Sequence, residues 1–284
     1  MSIKDERPKV TVHRSPAERI AARKARAQLE PKPQRPSLRS VAMEMRLPLE
    51  VAGGVLSYLF AHRLPAGEGQ PVLIYPGFLA GDGSTLLLRR VLEKLGYPTY
   101  GWDQGANLGP RHGVLSGCRD RLMAIADRHG QKVSLIGWSL GGVYAREMAK
   151  MLDDHVRQVV TMGSPFAGSP KATNAYRLFR LLSGHSVHDD PRLLERLREV
   201  PPVPTSSIYS RHDGVVHWHC SLQHPTPWSE NIEVAASHLG MGFNPIALYV
   251  LADRLAQRER QWRPFARGGF RRLFFRDPPV LAPG

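Results

Sequence analysis

The run Lys132-Val133-Ser134-Leu135-Ile136-Gly137-Trp138-Ser139-Leu140-Gly141-Gly142-Val143-Tyr144-Ala145-Arg146-Glu147-Met148-Ala149 changes character half-way along. Residues 132–136 form a short, β-branched, apolar run, the pattern of a buried strand. Residues 143–149 carry good helix formers without a proline, which reads as a helix. Between them lies Gly137-Trp138-Ser139-Leu140-Gly141, a G-x-S-x-G turn. A strand, a sharp turn and a helix are the setting in which such a serine hydroxyl is lifted above the edge of a sheet. Gly137 and Gly141 are needed because a side chain at either would strike the adjacent strand or helix.

Outward from this point, strand and helix signals alternate. Strands are expected at Gln70–Tyr75, Tyr97–Trp102, Val156–Met162, Thr205–Ser210 and Ile232–Ala235, and helices near 41–62, Ser84–Leu95, Val114–Arg128 and Ile246–Leu255. In the first helical stretch, Pro48 and Gly53-Gly54 weaken the signal. Alternation of this kind predicts an α/β fold with a mostly parallel central sheet and helices on both faces. About forty residues separate the strands ending at Met162 and beginning at Thr205, more than an ordinary connection needs. Residues 165–204 are therefore read as a small helical cap.

A serine hydroxyl is a weak nucleophile unless a base lies within hydrogen-bond reach. Ser139 is the candidate nucleophile. Among 12 histidines, His238 alone follows the last strand and precedes the final helix, so it is the candidate base; His217, His219 and His224 are its rivals. Asp213, in a turn leaving a strand, is the candidate acid that would fix the imidazole tautomer. Asp189 and Asp190 also lie between serine and histidine, but inside the cap segment. The oxyanion donors are expected to be the backbone N–H of Leu140 and that of Phe78, in the loop Pro76-Gly77-Phe78-Leu79. Pro76 has no N–H to give. Leu79, Trp138 and Phe166 could line an apolar substrate site or belong to the core.

In this order, these residues resemble the α/β-hydrolase superfamily in its lipase and esterase branch. The resemblance covers roughly residues 70–260. It rests on Tyr75-Pro76-Gly77-Phe78, the elbow at 137–141, Gly163-Ser164-Pro165-Phe166-Ala167-Gly168, Asp213-Gly214-Val215-Val216 and Ser237-His238. Gly-Trp-x-x-Gly-x-Asn-x-Gly at 101–109 resembles a feature of a bacterial group of lipase-like hydrolases. The resemblance implies an α/β-hydrolase fold, a Ser139–His238–Asp213 triad, a cap over an acyl pocket, no cofactor and no metal. It implies a small-molecule or lipid ester as substrate. An acyltransferase would use the same acyl-enzyme, and a non-catalytic lipid-binding protein would keep only the fold.

The 284 residues are 42% hydrophobic, enough for one α/β domain with a substantial core. The division expected is a flexible basic arm at 1–40, the hydrolase domain at 41–260 and a basic aromatic tail at 261–284. Net charge is +14, from 39 Lys and Arg against 25 Asp and Glu. Such a balance favours anionic partners. No nucleic-acid recognition motif is visible and the sheet is a poor platform for one, so nucleic acid is not expected; the arginine-aromatic tail fits peripheral contact with an anionic membrane about as well as it fits nucleic acid. Cys118 and Cys220 make no disulfide framework, and His217-Trp218-His219-Cys220 does not match zinc-site spacings. The N-terminus lacks the apolar core of a secretory signal, so a cytoplasmic location is expected.

Overall fold

The computed structural model describes residues 35–167, 172–174 and 191–279. Among them, six strands form one parallel sheet: β1 (Val72–Tyr75), β2 (Thr99–Gly101), β3 (Val133–Trp138), β4 (Val156–Met162), β5 (Thr205–Tyr209) and β6 (Ser229–Glu233). Their order is β2-β1-β3-β4-β5-β6. The chain runs from β1 outward to β2, then returns to place β3 on the other side of β1. The loops leaving β1 and β3 therefore diverge and open a crevice at the carboxyl edge of the sheet, where α/β proteins place ligands.

Alternation along the strands separates two cores. Val72, Ile74, Ile136, Trp138, Val160, Met162 and Ile208 face one side, with α3 (Leu86–Lys94) and α7 (Pro245–Leu255). Leu73, Tyr75, Val133, Leu135 and Val159 face the other, with α4 (Val114–His129) and α5 (Leu140–Met151). With both faces covered, β1, β3 and β5 are buried along their whole length, as parallel strands require.

Ahead of the sheet, α1 (Leu38–Met43), a 3-10 turn (Glu44–Arg46) and α2 (Leu47–Leu59) form a helical strap. Ser37 caps α1 by accepting from Ser40 N. Pro48 does not break α2, because it lies in the first turn, where no intrahelical donor is lost. The two glycines are contact points instead. A Cβ on Gly53 would come within 2.8 Å of Pro245, and one on Gly54 within 2.8 Å of the Phe243 carbonyl.

Residues 261–279 pack in part against the sheet and its helices. Phe265 and Phe275 are buried in the first core and pack edge-to-face on each other at 4.7 Å, beside Tyr249. Phe265 N donates to Glu230 at 2.7 Å, and the buried Arg254 bridges Glu230 and the Arg263 carbonyl. Phe270, Leu273 and Phe274 remain exposed. The basic arm at 1–34 and the end of the tail at 280–284 lie outside the described residues. So do 168–171 and 175–190 of the cap, with Asp189 and Asp190. What is described of the cap includes α6 (Pro191–Arg198). It is held through Arg146 of α5, whose guanidinium donates to the carbonyls of Arg198 and Glu199. Among the described residues no helix is long and apolar enough to cross a membrane.

Candidate active site

Ser139 sits between β3 and α5 with φ 54° and ψ −124°, a backbone conformation few non-glycine residues adopt. Such a conformation costs on the order of 1–3 kcal/mol and persists only where the surroundings impose it. Here Ser139 N donates to Met162 O at 2.8 Å, and Gly142 N to Ser139 O at 3.0 Å. The expected need for glycine is met: a Cβ on Gly137 would run into Gly142, and one on Gly141 into the Tyr75 carbonyl. Gly142 must also be small, because Ser164 packs against it. The Ser164 hydroxyl reaches the Gly137 and Met162 carbonyls at 3.3 and 3.4 Å, which ties the Gly163-Ser164-Pro165 stretch beneath the elbow.

Three side chains far apart in sequence converge. His238 Nε2 is 3.0 Å from Ser139 Oγ, and His238 Nδ1 is 2.7 Å from Asp213 Oδ2. The carboxylate can only accept, so Nδ1 carries the proton and Nε2 is left to accept from the serine hydroxyl. Both His238 and Asp213 are only 4% exposed. Asp213 is fixed in turn, since its Oδ1 accepts from Val215 N at 2.9 Å and Val216 N at 2.7 Å. Gly163, at φ 55°, runs beneath the pair: a Cβ there would lie 2.9 Å from Asp213 Oδ2 and 3.1 Å from His238 Nδ1. Burial opposes a charge on His238, but the charge of Asp213, its hydrogen bond and the nearby Glu44 outweigh burial and raise the imidazole pKa above its ordinary value. The rival residues His217 and His219 instead flank Trp218, whose ring stacks on His219 at 3.5 Å. Cys118 and Cys220 are buried free thiols, raised by burial to pKa values of about 11 and about 12. Among the described residues no group of three His, Cys, Asp or Glu side chains is placed to hold a metal.

Leu140 begins α5, so its N–H belongs to the unsatisfied, partly positive end of a helix next to Ser139. Phe78 lies in the loop after β1, which passes the serine closely enough that a Cβ on Gly77 would be 3.2 Å from Ser139 Cβ. That loop is stapled by Asn107, buried in the 101–109 segment. Asn107 Nδ2 donates to Pro76 O at 2.9 Å, its carbonyl accepts from Leu79 N at 2.7 Å, and its N–H donates to Ala80 O at 2.8 Å. The segment's other residues support the staple. Asp82 accepts from Trp102 N and Asp103 N, and Trp102 Nε1 donates to Gly105 O.

Of the three side chains considered for substrate contact, only Leu79 is open, at 48% exposure. Trp138 lies in the core beneath the histidine loop, where its Nε1 donates to His238 O at 3.1 Å and its ring meets Phe243 edge-on. Phe166 is buried under the Arg146 guanidinium, 3.8 Å from its ring centre. Both aromatics hold structure around the site.

A family model described as PGAP1-like alpha/beta domain matches residues 118–195, a span that contains the elbow. Among solved structures, Bacillus licheniformis lipase BlEst2 in its mature form superposes with a TM-score of 0.52 at 15% identity, over 69% of this chain and 95% of that one. The chain has the α/β-hydrolase fold. Two further solved structures superpose on this fold to a similar degree. Aspergillus fumigatus lipase B does so at TM-score 0.50 and 17% identity, over 68% of this chain and 53% of the lipase. The chain thus spans about half the length of the fungal protein. A structure from work on the metagenome-derived lipolytic enzymes LipS and LipT gives TM-score 0.50 and 14% identity, over 67% and 93% of the two chains. A search of curated protein sequences found no match.

Within this hydrolase fold, Asn107 carries a signal in the sequence only as part of the 101–109 pattern. Its removal is expected to leave the Pro76 carbonyl without its partner. Asn107→Ala should cost about 1–3 kcal/mol of stability, measured by denaturant unfolding. Turnover should fall with little change in KM, because the loop carrying the Phe78 N–H is loosened. Unchanged kcat in a folded variant would separate Asn107 from that loop.

Proposed function

We propose that this protein is a serine hydrolase that cleaves carboxylic esters through an acyl-enzyme. The observation that carries this reading is the hydrogen-bonded relay from Ser139 through His238 to Asp213, at 3.0 and 2.7 Å, at the carboxyl edge of the sheet. Ser139 Oγ attacks the ester carbonyl carbon while its proton passes to His238 Nε2. Asp213 stabilises the imidazolium without taking its proton. The carbonyl oxygen becomes an oxyanion between the N–H groups of Leu140 and Phe78, where fixed donors are worth the most as charge develops. Collapse breaks the ester C–O bond, and His238 protonates the departing alcohol. A water that gives its proton to His238 then attacks the acyl carbon, releasing the acid and restoring Ser139.

Apolar exposed side chains around the site favour hydrophobic acyl groups. Leu79 follows Phe78, Leu239 follows His238 and is 49% exposed, and Val41 of the strap lies against Gly214 in the acid loop. A panel of p-nitrophenyl esters of increasing acyl length, run beside Ser139→Ala, tests both activity and length preference. A preference for acetate over longer acyl groups would contradict the hydrophobic assignment.

The raised His238 pKa sets the pH profile. The imidazole works as a base only when neutral, so kcat/KM should fall as pH drops through its pKa. The midpoint of that acid limb should lie above the ordinary imidazole value of 6.5. A midpoint below 6.5 would contradict the charge arrangement around His238.

Contact with anionic membrane falls to the exposed Phe270, Leu273 and Phe274, interleaved with Arg271 and Arg272. Phe270→Ser with Leu273→Ser should reduce flotation with phosphatidylserine vesicles, whereas deleting the segment would also strip Phe265 and Phe275 from the core. Equal flotation of wild type and double variant would remove the membrane reading.

A further inference from the structure

The glycine after the candidate acid and the residues around His238 share an anchor that comes from neither loop. Glu44, in the 3-10 turn of the strap, spreads its carboxylate across both. Its Oε1 accepts from Gly214 N at 2.8 Å and from His238 N at 2.8 Å, and its Oε2 accepts from Leu239 N at 2.9 Å. Glu50, in α2, completes the hold. It accepts from Ser237 N and Asn244 Nδ2, both at 3.0 Å, and from the Ser237 hydroxyl. Three successive backbone amides, 237 to 239, therefore end on two strap carboxylates. Gly240 N closes the loop on Ser237 Oγ at 3.0 Å, and Gly240 can carry no side chain, because a Cβ would run into the Glu50 carboxylate.

These are the only acidic residues between Leu38 and Arg63. Surface solubility does not explain them, because Glu50 is buried and Glu44 half-buried. Loop geometry does. An imidazole that must move a proton between Ser139 and a leaving group has to stay within a few tenths of an ångström of its working position. Hydrogen bonds from backbone N–H to a carboxylate are stronger than those to neutral acceptors. One carboxylate that binds both loops also fixes the distance between them.

We propose that Glu44 is a positioning residue for the reaction: it clamps the His238 loop to the Asp213 loop and keeps a fixed negative charge beside His238. The inference rests on the serine-hydrolase reading of the site. It assigns the strap, which lies ahead of the region resembling other hydrolases, a part in activity. The charged and titratable groups facing His238 are then Asp213 from the β5 loop and Glu44 from the strap, with Ser139 on the third side and Glu50 acting one residue away through Ser237. Removing the Glu44 charge makes the imidazolium harder to form, so the His238 midpoint should move to lower pH.

Glu44→Gln tests this, since glutamine keeps the shape and one acceptor oxygen but loses the charge. The imidazole of His238 is titrated by NMR in Ser139→Ala and in Ser139→Ala with Glu44→Gln. The same Glu44→Gln change in otherwise wild-type protein is followed by kcat/KM against pH on the best p-nitrophenyl ester. The expected result is a His238 midpoint displaced to lower pH, matched by the acid limb, with kcat about 10- to 100-fold lower. Met45→Ser, at the next and strongly exposed position, should change neither. An unmoved midpoint overturns the assignment whatever happens to turnover, because a mere structural brace would lower activity without moving the titration. Absence of Ser139-dependent turnover in the wild type would instead sink the hydrolase reading, while the titration would still report on Glu44.

Discussion

Ser139→Ala should abolish ester turnover, with kcat reduced about 10⁴- to 10⁶-fold, while the protein stays folded. The hydroxyl's hydrogen bond is to His238. The strained backbone at 139 is imposed by main-chain bonds to Met162 and Gly142 and by the glycines around it, none of which involves Oγ. Alanine meets the same φ penalty as serine, so stability should change by less than about 1 kcal/mol. Some catalysis above the uncatalysed reaction should survive, because the Leu140 and Phe78 donors would still stabilise an oxyanion formed by water. Initial rates with purified variant, corrected for trace wild type, make the comparison. A variant retaining even a tenth of wild-type turnover would show that another group performs the attack.

The second large effect is expected for Asp213→Asn, with turnover down about 10⁴-fold. The amide oxygen of the variant side chain can still accept from Val215 N and Val216 N, so the acid loop should keep its shape. The amide nitrogen then faces His238 Nδ1, at the 2.7 Å position now held by Oδ2. That nitrogen is a donor, so Nδ1 must become the acceptor and the ring proton moves to Nε2. The face toward Ser139 then presents a donor where the reaction needs a base. Removing the carboxylate charge also lowers the His238 pKa, since Asp213 is what raises it most against burial. The acid limb of whatever activity remains should therefore lie at lower pH. A far smaller loss, with the wild-type pH profile, would mean that another carboxylate orients the imidazole.

Much of this site could be read from short patterns. The elbow is legible because steric demands at Gly137, Gly141 and Gly142 act on neighbours a few residues away. Asp213 and His238 are legible because each follows a strand in the order that brings it to the same sheet edge. The rest depended on contacts no local pattern reports. Strand β6 begins at Ser229 rather than near Ile232, because Glu230 and Asn231 are buried by pairing with Ser206, Arg254 and Gln223 and so carry no apolar signal. Pro48, Gly53 and Gly54 look like helix breakers until their neighbours are known. Phe265 and Phe275 sit among arginines in what reads by composition as a basic aromatic tail, although both rings close the core. Trp138 and Phe166 are aromatic residues beside a serine, and only packing tells a wall from a foundation. Glu44 and Glu50 gave one faint hint, two acids in an otherwise apolar and basic stretch. Their partners lie 170 to 195 positions away.

The proposed chemistry requires the serine at the elbow to form a covalent bond during turnover. Incubation with a fluorophosphonate, followed by intact-mass measurement and peptide mapping, tests it most directly. Attack by Ser139 Oγ on phosphorus expels fluoride and leaves a stable phosphonyl ester. A single adduct is expected on the peptide containing Ser139, absent in Ser139→Ala and formed far more slowly in Asp213→Asn. A wild-type protein that gains no mass, or one labelled equally well without the serine, would contradict it.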